Sequence, residues 1–240
     1  MQNQSTKKEL TNKSNRKLYP VKEKLNSVLE SIKPGVKLVA VSKFHPVEYL
    51  EEAYAAGQRV FGESREQELA QKHISLPEDI EWHFIGHLQT NKVKNLVPYV
   101  SMIETVDSYR LLAEIEKQAS KIDRVIDVLL ELHLAQEESK SGMTLDECRA
   151  LLADSNWREM KHVRICGIMM MASNVDDEAK ITAEFNRAAA FFDEIKAQYF
   201  PDADYFCERS YGMSGDYMLA QDCRSTMVRI GTYIFGPRVY

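Results

Sequence analysis

The sequence predicts an α/β protein, a single-domain (β/α)8 TIM barrel, and three observations support this fold class. Short apolar segments recur along the 240 residues, and each is followed by a stretch with helical spacing. The first of them, Val36 to Val41, is apolar at all positions but one, which is typical of a strand buried on both faces of a parallel sheet. The length suits one large core, and no linker or composition shift marks a second domain.

Eight strands alternating with helices favour a closed barrel over an open sheet. We predict these strands at Lys37–Lys43, Arg59–Glu63, Glu81–Ile85, Met102–Val106, Val125–Leu134, Val163–Met171, Tyr205–Arg209 and Met227–Gly231. Each is bounded by turn or helix signals, so the pattern accounts for most of the chain.

Three of the predicted helices have clear boundaries. The stretch Pro46 to Ala56 has proline in its first turn and a glycine stop at Gly57. Asp107-Ser108 is a capping pair for a helix over Tyr109–Ser120. The longest helix is predicted from Asp177 to Tyr199, with apolar residues spaced for a face that packs on a barrel.

Composition excludes several functional classes. The formal net charge of −5 argues against nucleic-acid binding, which needs a basic face. No apolar run approaches the roughly 20 residues that cross a membrane. Residues 1–17 form a polar segment without a secretory signal, and we expect a flexible tail there, followed by the barrel domain at 18–240. The four cysteines form no C-x-x-C pair. We therefore expect a cytoplasmic protein with reduced thiols and no cysteine-based metal site.

Lys43 is the first candidate functional residue because it closes the first predicted strand. The carboxyl ends of barrel strands form the rim where reactive side chains are placed. An amine in a partly dry site has a lowered pKa and can form a Schiff base with an aldehyde. The alternative is a lysine at the end of a strand that extends into solvent.

Two segments rich in glycine and hydroxyl groups follow the seventh and eighth predicted strands. Barrels commonly bind phosphate on these two loops, where backbone amides approach an anion closely. The residues that suit such a phosphate cradle are Ser210, Ser214, Gly231 and Thr232. A phosphate site opposite a Schiff-base lysine indicates either pyridoxal 5′-phosphate (PLP) or a sugar-phosphate aldolase.

Arg229 favours PLP over the aldolase. It shares the parity of Gly231 on the eighth strand, so it should point into the barrel, where a buried arginine needs an acceptor. The pyridine nitrogen of PLP is one, and an adjacent fixed cation makes PLP a weaker electron sink. The alternative is a structural ion pair with a carboxylate such as Glu208.

Two further features have alternative interpretations. On the third predicted strand, the side chain of His83 points to the opposite face from those of Trp82 and Phe84. It is either a residue beside the cofactor ring or a hydrogen-bonded histidine of the core. The polar loop from Gln89 to Lys92, with Lys94, either contacts a second ligand or partner or is a solvated helix start.

Several motifs together resemble the pyridoxal phosphate homeostasis proteins. They are Val41-Ser42-Lys43, Phe61-Gly62-Glu63-Ser64, Trp82 to Lys92, Glu138-Ser139-Lys140-Ser141-Gly142, Gly167-Ile168-Met169, Tyr211-Gly212-Met213-Ser214 and Met227 to Gly236. The resemblance runs from about Val36 to Arg238, nearly the whole chain. It implies a fold-type III PLP-binding barrel, like the N-terminal domain of alanine racemase.

The resemblance also implies roles for single residues. Lys43 corresponds to the aldimine lysine, and Arg229 to the residue at the pyridine nitrogen. The family usually has asparagine where this chain has Ser64. The full set predicted to bind the cofactor is Lys43, Ser64, His83, Met170, Ser210, Met213, Ser214, Arg229, Gly231 and Thr232, with no catalytic or metal-binding residue.

The function implied is that of a carrier. Such a protein holds PLP as an aldimine on Lys43, takes part in vitamin B6 homeostasis and can pass PLP to apo PLP-dependent enzymes. The alternative is a fold-type III amino-acid racemase, which needs a second base, a tyrosine from the C-terminal domain of a partner chain. This sequence ends where that domain would begin, and Tyr211 and Tyr217 are the local substitutes, so we expect a monomeric carrier.

Overall fold

In the part of the chain that the computed structural model describes, residues 19–134 and 141–237, eight parallel strands close into a barrel. Their order in the barrel is their order in the chain, and β1 completes the ring by pairing with β8 from Lys37↔Met227 to Ala40↔Ile230. The (β/α)8 fold class is therefore confirmed. The predicted tail, residues 1–17, lies outside the described residues.

The strands are bounded as follows: β1 Lys37–Val41, β2 Val60–Glu63, β3 Glu81–Phe84, β4 Met102–Val106, β5 Ile126–Leu132, β6 Val163–Met170, β7 Glu208–Ser210 and β8 Met227–Ile230. The α-helices of the described residues are α1 Val21–Ser31, α2 Val47–Ala55, α3 Glu66–Ser75, α4 Val93–Leu96, α5 Tyr109–Ser120, α6 Leu145–Ala153, α7 Glu178–Tyr199, α8 Tyr217–Asp222 and α9 Thr232–Phe235. Two 3₁₀ turns are also present among the described residues: Thr90–Lys92 between β3 and α4, and Ser155–Glu159 between α6 and β6. None of the described helices is long and apolar enough to span a membrane.

Two strand boundaries differ from the prediction in ways that affect the site. β1 ends at Val41 rather than Lys43, and the chain then turns: the amide of His45 donates to the carbonyl oxygen of Ser42 at 3.1 Å, and Phe44 has φ of 66°. β7 begins three residues later than predicted and ends at Ser210. Phe206, predicted inside that strand, instead packs flat against Phe200 with ring centroids 4.1 Å apart.

The predicted helix boundaries agree closely with the structure. Pro46 stands one residue before α2 rather than inside its first turn, and Gly57, with φ of 103°, follows the C-terminal end of the helix. The Ser108 hydroxyl accepts the amide of Leu111 at 3.4 Å and caps α5. Asp177 caps α7 by accepting the amide of Lys180 at 3.1 Å.

The inside of the barrel changes from apolar to charged toward the carboxyl ends of the strands. An apolar inner cluster contains Val39, Met102, Leu129, Cys166, Met169 and Met227. Two residues further along three of these strands, the inward positions are occupied by Glu104, Glu131 and Arg229. The rim of the barrel is therefore the part of the interior that can bind a polar ligand.

Candidate functional site

A cavity of about 230 Å³ opens at the carboxyl ends of the strands. Six of the ten residues predicted to bind the cofactor line it: Lys43, Met213, Ser214, Arg229, Gly231 and Thr232. Its other lining residues are Val41, His45, Ile85, Met169, Met171 and Gly215. The cavity thus combines one amine, one guanidinium, one imidazole, two hydroxyls and an apolar wall.

The loop after β8 approaches the end of β1 so closely that glycine is required at position 231. A Cβ atom on Gly231 would lie 2.8 Å from the carbonyl oxygen of Val41, a contact that only a backbone shift would relieve. This approach places Thr232 and Lys43 on the same cavity. Thr232 also begins the short helix α9, and the first amides of a helix have no acceptor within it. Thr232 thus brings its hydroxyl to the cavity that Lys43 also lines.

The loop after β7 contributes Ser214 and Gly215 to the cavity. Its shape depends on Asp216, whose carboxylate accepts the backbone amide of Met213. Gly212 has φ of 101°, and a Cβ there would lie 2.6 Å from the Cβ of Ala220. Burial raises the pKa of Asp216. The Asp216 bond and the packing of Gly212 thus hold the loop on the side away from the cavity, and Ser214 presents its hydroxyl to the cavity.

Arg229 is buried and points into the barrel, as its strand parity predicted. Its guanidinium donates to the Ser210 carbonyl oxygen at 2.8 Å, to the Ser210 Oγ at 2.6 Å and to the Met170 carbonyl oxygen at 2.9 Å. Its carboxylate partner is Glu104, at 3.6 Å, whereas Glu208 lies 3.4 Å from Lys37 instead. These contacts hold the guanidinium at the cavity wall.

Glu104 joins three of the predicted residues into one buried group. One of its oxygens lies 2.7 Å from Nδ1 of His83, and the other accepts the Ser210 hydroxyl at 2.6 Å. Burial opposes its ionisation, but His83, Arg229 and Ser210 together lower the pKa of Glu104 below its ordinary value. Burial lowers the pKa of Arg229, with the charge of Glu104 opposing that shift. The carboxylate and guanidinium therefore form an ion pair inside the barrel.

Four predicted residues lie outside the cavity lining. Ser210 and His83 belong to the Glu104 group beneath it, so His83 is a hydrogen-bonded core histidine. Met170 packs in the larger cluster between strands and helices, and Met169 and Met171 line the cavity in its place. Ser64 lines a separate surface depression together with Gln89 and Lys92.

The polar loop after β3 forms the 3₁₀ turn Thr90–Lys92 and then α4, which matches the helix-start interpretation of this segment. The Lys92 amine lies 3.4 Å from the Glu66 carboxylate, and Asn95 donates to the same side chain at 2.6 Å. The loop is thereby joined to α3 at the rim. Of the motif at Glu138 to Gly142, the first three residues lie outside the described residues.

Sequence reasoning missed the residue at the centre of the buried group. Glu104 lies within the apolar strand Met102–Val106, where a charged residue needs a buried partner. A glutamate inside an apolar strand could therefore have identified Glu104 as a candidate from the sequence. The sequence offers no such signal for the cavity-lining residues Ile85, Met169 and Met171, because apolar residues are common at strand ends.

The chain is similar to known proteins over most of its length. Residues 18–239 match the family model of the alanine racemase N-terminal domain. The pyridoxal phosphate homeostasis protein of Aquifex aeolicus is 35% identical over 229 residues, covering 91% of this chain and 98% of the relative. That of Pasteurella multocida is 38% identical over 213 residues, covering 86% and 88%.

Solved structures agree with the sequence relatives. PipY of Synechococcus elongatus is 36% identical, with TM-scores of 0.85 without PLP and 0.83 with PLP bound, covering 90% of this chain and 100% of PipY. An alanine racemase of Clostridium difficile is 16% identical with a TM-score of 0.71, covering 59% of that enzyme, which shows a shared fold alone. The chain has the alanine racemase N-terminal barrel and belongs to the pyridoxal phosphate homeostasis protein family.

Proposed function

We propose that this protein binds PLP in the cavity at Lys43 and takes part in PLP homeostasis without strong catalytic activity. One observation carries the proposal: the Lys43 amine and the Arg229 guanidinium line a single cavity with Ser214, Gly231 and Thr232. The printed names of the relatives, and the PLP bound to PipY, support the same ligand.

The residues present fit the chemical groups of PLP. PLP carries an aldehyde that condenses reversibly with an amine to form a Schiff base, and Lys43 supplies that amine. Ser214, Thr232 and the close backbone at Gly231 suit the phosphate. Ile85, Met169 and Met171 offer an apolar surface for the ring.

Arg229 sets the charge of one part of the cavity wall. Its guanidinium is held by Ser210, Met170 and Glu104, so it presents a fixed positive charge to the cavity. A fixed cation beside the pyridine nitrogen of PLP would keep that nitrogen unprotonated, which makes the cofactor a weaker electron sink.

The two tyrosines considered as a second racemase base are engaged elsewhere. Tyr211 is fully buried, and its hydroxyl donates to the carbonyl oxygen of Cys223 at 2.7 Å. The Tyr217 hydroxyl lies 2.8 Å from the Ser31 hydroxyl. Among the described residues, no tyrosine lines the cavity. The racemase hypothesis is therefore the weaker one.

The experiment is a titration of the PLP-free protein with PLP, followed by visible absorbance and equilibrium dialysis. We expect a Schiff-base absorbance band in the wild type and in Lys117→Met, a variant of a lysine whose side chain is 66% exposed on α5. Lys43→Ala should lose the band yet retain weaker PLP binding through the phosphate cradle. Absence of PLP uptake by the wild type would refute the proposal.

A racemase assay with L-alanine separates the two functions. Enzymes typically turn over about 1–10³ times per second. We expect the loaded protein to fall far below that range, and turnover within it would favour the racemase. We further propose that the protein is a cytoplasmic monomer that passes PLP to apo PLP-dependent enzymes, which sedimentation and transfer to a purified apo-enzyme would test.

A further inference from the structure

A second buried ionic group, which we call the Lys72 cluster, lies outside the barrel between β2 and α3. It consists of Lys72 and its two carboxylate partners, Glu63 and Glu68. The Lys72 amine lies 2.6 Å from Glu63 Oε1 and 2.7 Å from Glu68 Oε1. The Lys72 and Glu63 side chains are 5% and 0% exposed, so this ion pair is withdrawn from water.

The Lys72 cluster is bonded to both chain neighbours of Lys43. On one side, the Lys72 amine donates to the carbonyl oxygen of Ser42 at 2.8 Å. The Ser42 hydroxyl also donates to Glu63 Oε1 at 2.6 Å. On the other side, Glu68 Oε1 accepts the backbone amide of Phe44 at 2.6 Å. Lys43 is therefore flanked by two residues whose backbones are held by one charged group.

The backbone of Phe44 needs such support. Its φ of 66° lies in the left-handed region, which is unfavourable for a residue with a side chain and persists where surrounding contacts enforce it. The Arg65 guanidinium lies 4.5 Å from the centre of the Phe44 ring and adds a contact from the start of α3. This turn directs the chain out of β1 immediately after the cavity-lining Lys43.

Stability alone does not account for a buried ion pair at this position. Replacing such a pair with apolar residues of similar size is often neutral or stabilising, because desolvation offsets the attraction of the charges. Burial raises the pKa of Glu63 even with Lys72 beside it. Apolar side chains, however, offer no bonds to the Ser42 carbonyl oxygen or the Phe44 amide. Only a polar cluster can hold the backbones of Ser42 and Phe44 through these bonds.

We propose that Lys72, Glu63 and Glu68 are positioning residues that hold the Lys43 amine at the cavity. The three residues are absent from the cavity lining, so they act through Ser42 and Phe44 rather than on the ligand. The part of this inference that concerns reaction with an aldehyde rests on the proposed PLP function.

The first test measures the rate of Schiff-base formation as a function of PLP concentration in Lys72→Met. The maximal rate should fall about tenfold or more, since small misplacement of a reacting group has effects of this size. The half-saturating PLP concentration should stay at the wild-type value, because Ser214, Gly231, Thr232 and Arg229 are unchanged. A general structural defect would move both quantities, and that result would overturn the proposal.

Lys117→Met is the matched control, because it removes a helical lysine whose ion pair with Glu114 is largely exposed. It should leave both quantities unchanged. Glu68→Ala is the second variant, and it is expected to fold because Glu68 is 20% exposed and the Lys72–Glu63 pair remains. It removes the acceptor of the Phe44 amide, so the maximal rate should fall while half-saturation is retained. An unaltered maximal rate in this variant would contradict the proposal.

A readout without PLP separates this inference from the proposed function. The PLP-free protein is treated briefly with a neutral acylating reagent, and the extent of Lys43 labelling is measured by peptide mass spectrometry. The rate of Lys43 labelling should change in Lys72→Met and Glu68→Ala but not in Lys117→Met. If the wild type forms no Schiff base with PLP, the proposed function fails while this labelling still tests the positioning. Equal labelling in all four proteins would refute the positioning role.

Discussion

Glu104 and Glu63 are both buried glutamates beside a cation, yet their surroundings shift their pKa values in opposite directions. Glu104 has a hydrogen-bond partner on each carboxylate oxygen, and His83, Arg229 and Ser210 outweigh burial to lower its pKa. Glu63 has Ser42 and Lys72 on one oxygen, while its Oε2 has no partner among the described residues. Burial therefore prevails and raises the pKa of Glu63.

Both carboxylates are buried, so their neighbours account for the opposite directions: Glu104 has Arg229 and His83 beside it, whereas Glu63 has Lys72 as its cation and the carboxylate of Glu68 close by, which raises its pKa. The two groups also hold different parts of the cavity. The Glu104 group lies inside the barrel and fixes Arg229, whereas the Lys72 cluster lies outside it and fixes the residues around Lys43. The two ends of the proposed PLP site are thus supported by separate ionic groups, which can be perturbed one at a time.

The largest effect is expected from removing the cation of either group. Lys72→Met and Arg229→Met each leave a buried carboxylate without its counter-charge, which lowers the free energy of unfolding by about 3–5 kcal/mol. Urea denaturation at neutral pH measures this change. Lys117→Met, which breaks an exposed pair, should change it by about 0–1 kcal/mol. Losses in the two buried variants no larger than in that control would show that neither cation supports its carboxylate.

A smaller effect should separate the two carboxylates when each is changed to glutamine. In Glu104→Gln the charge beside Arg229 is lost and an amide nitrogen replaces one of the two oxygens that face His83 and Ser210, so about 1–3 kcal/mol is lost. In Glu63→Gln the amide can occupy the unpartnered side while the oxygen still accepts from Ser42 and Lys72. The loss should therefore be smaller than in Glu104→Gln when both are measured in urea. The reverse order would contradict the assignment of partners.

The pH dependence of stability should change in opposite directions in these two variants. The lowered pKa of Glu104 gives stability that is present above the ordinary value of 4.5 and lost as the pH falls through the folded-state value. The raised pKa of Glu63 gives stability that is present below 4.5 and lost as the pH rises through its folded-state value.

Between neutral and acidic pH, Glu104→Gln should therefore lose less stability than the wild type on acidification, and Glu63→Gln should lose more. Denaturation at a series of pH values measures both slopes. Parallel slopes in the wild type and both variants would show that neither carboxylate has a shifted pKa.

The smallest effect is expected at a site remote from both groups. Ser108→Ala removes the hydroxyl that caps α5 and should cost about 1 kcal/mol of folding free energy. It should leave PLP uptake at the wild-type level, since Ser108 does not line the cavity. Reduced PLP uptake in Ser108→Ala would show that a loss of stability remote from the cavity is enough to weaken PLP binding. An effect of Lys72→Met or Arg229→Met on PLP could then not be assigned to the cavity.

Much of the fold could be predicted from the sequence because its signals are local. Buried parallel strands are apolar runs, and Gly57, Ser108 and Asp177 mark helix boundaries through backbone chemistry that needs no tertiary contact. The end of β1 was less accessible. Ser42 and Lys43 follow the apolar run without a glycine or proline to mark its end, and the turn of the chain at Phe44 is visible only in the structure.

The parts of the site that depend on tertiary contacts could not be predicted in this way. A lysine on an amphipathic helix is ordinarily solvated, so nothing near Lys72 indicated a buried amine. In β6 the pairing with β5 passes from Ile165 directly to Gly167, and this bulge brings both Cys166 and Met169 to the inner cluster. Alternation counted from the start of the strand would place Met169 on the wrong face.

The most direct test of the account is borohydride reduction of the PLP-treated protein, followed by peptide mapping of the pyridoxyl adduct. We predict that the adduct lies on the peptide containing Lys43 and disappears in Lys43→Ala. An adduct on another lysine, or persistence of a reducible linkage in that variant, would contradict the assignment of Lys43 as the residue that holds PLP.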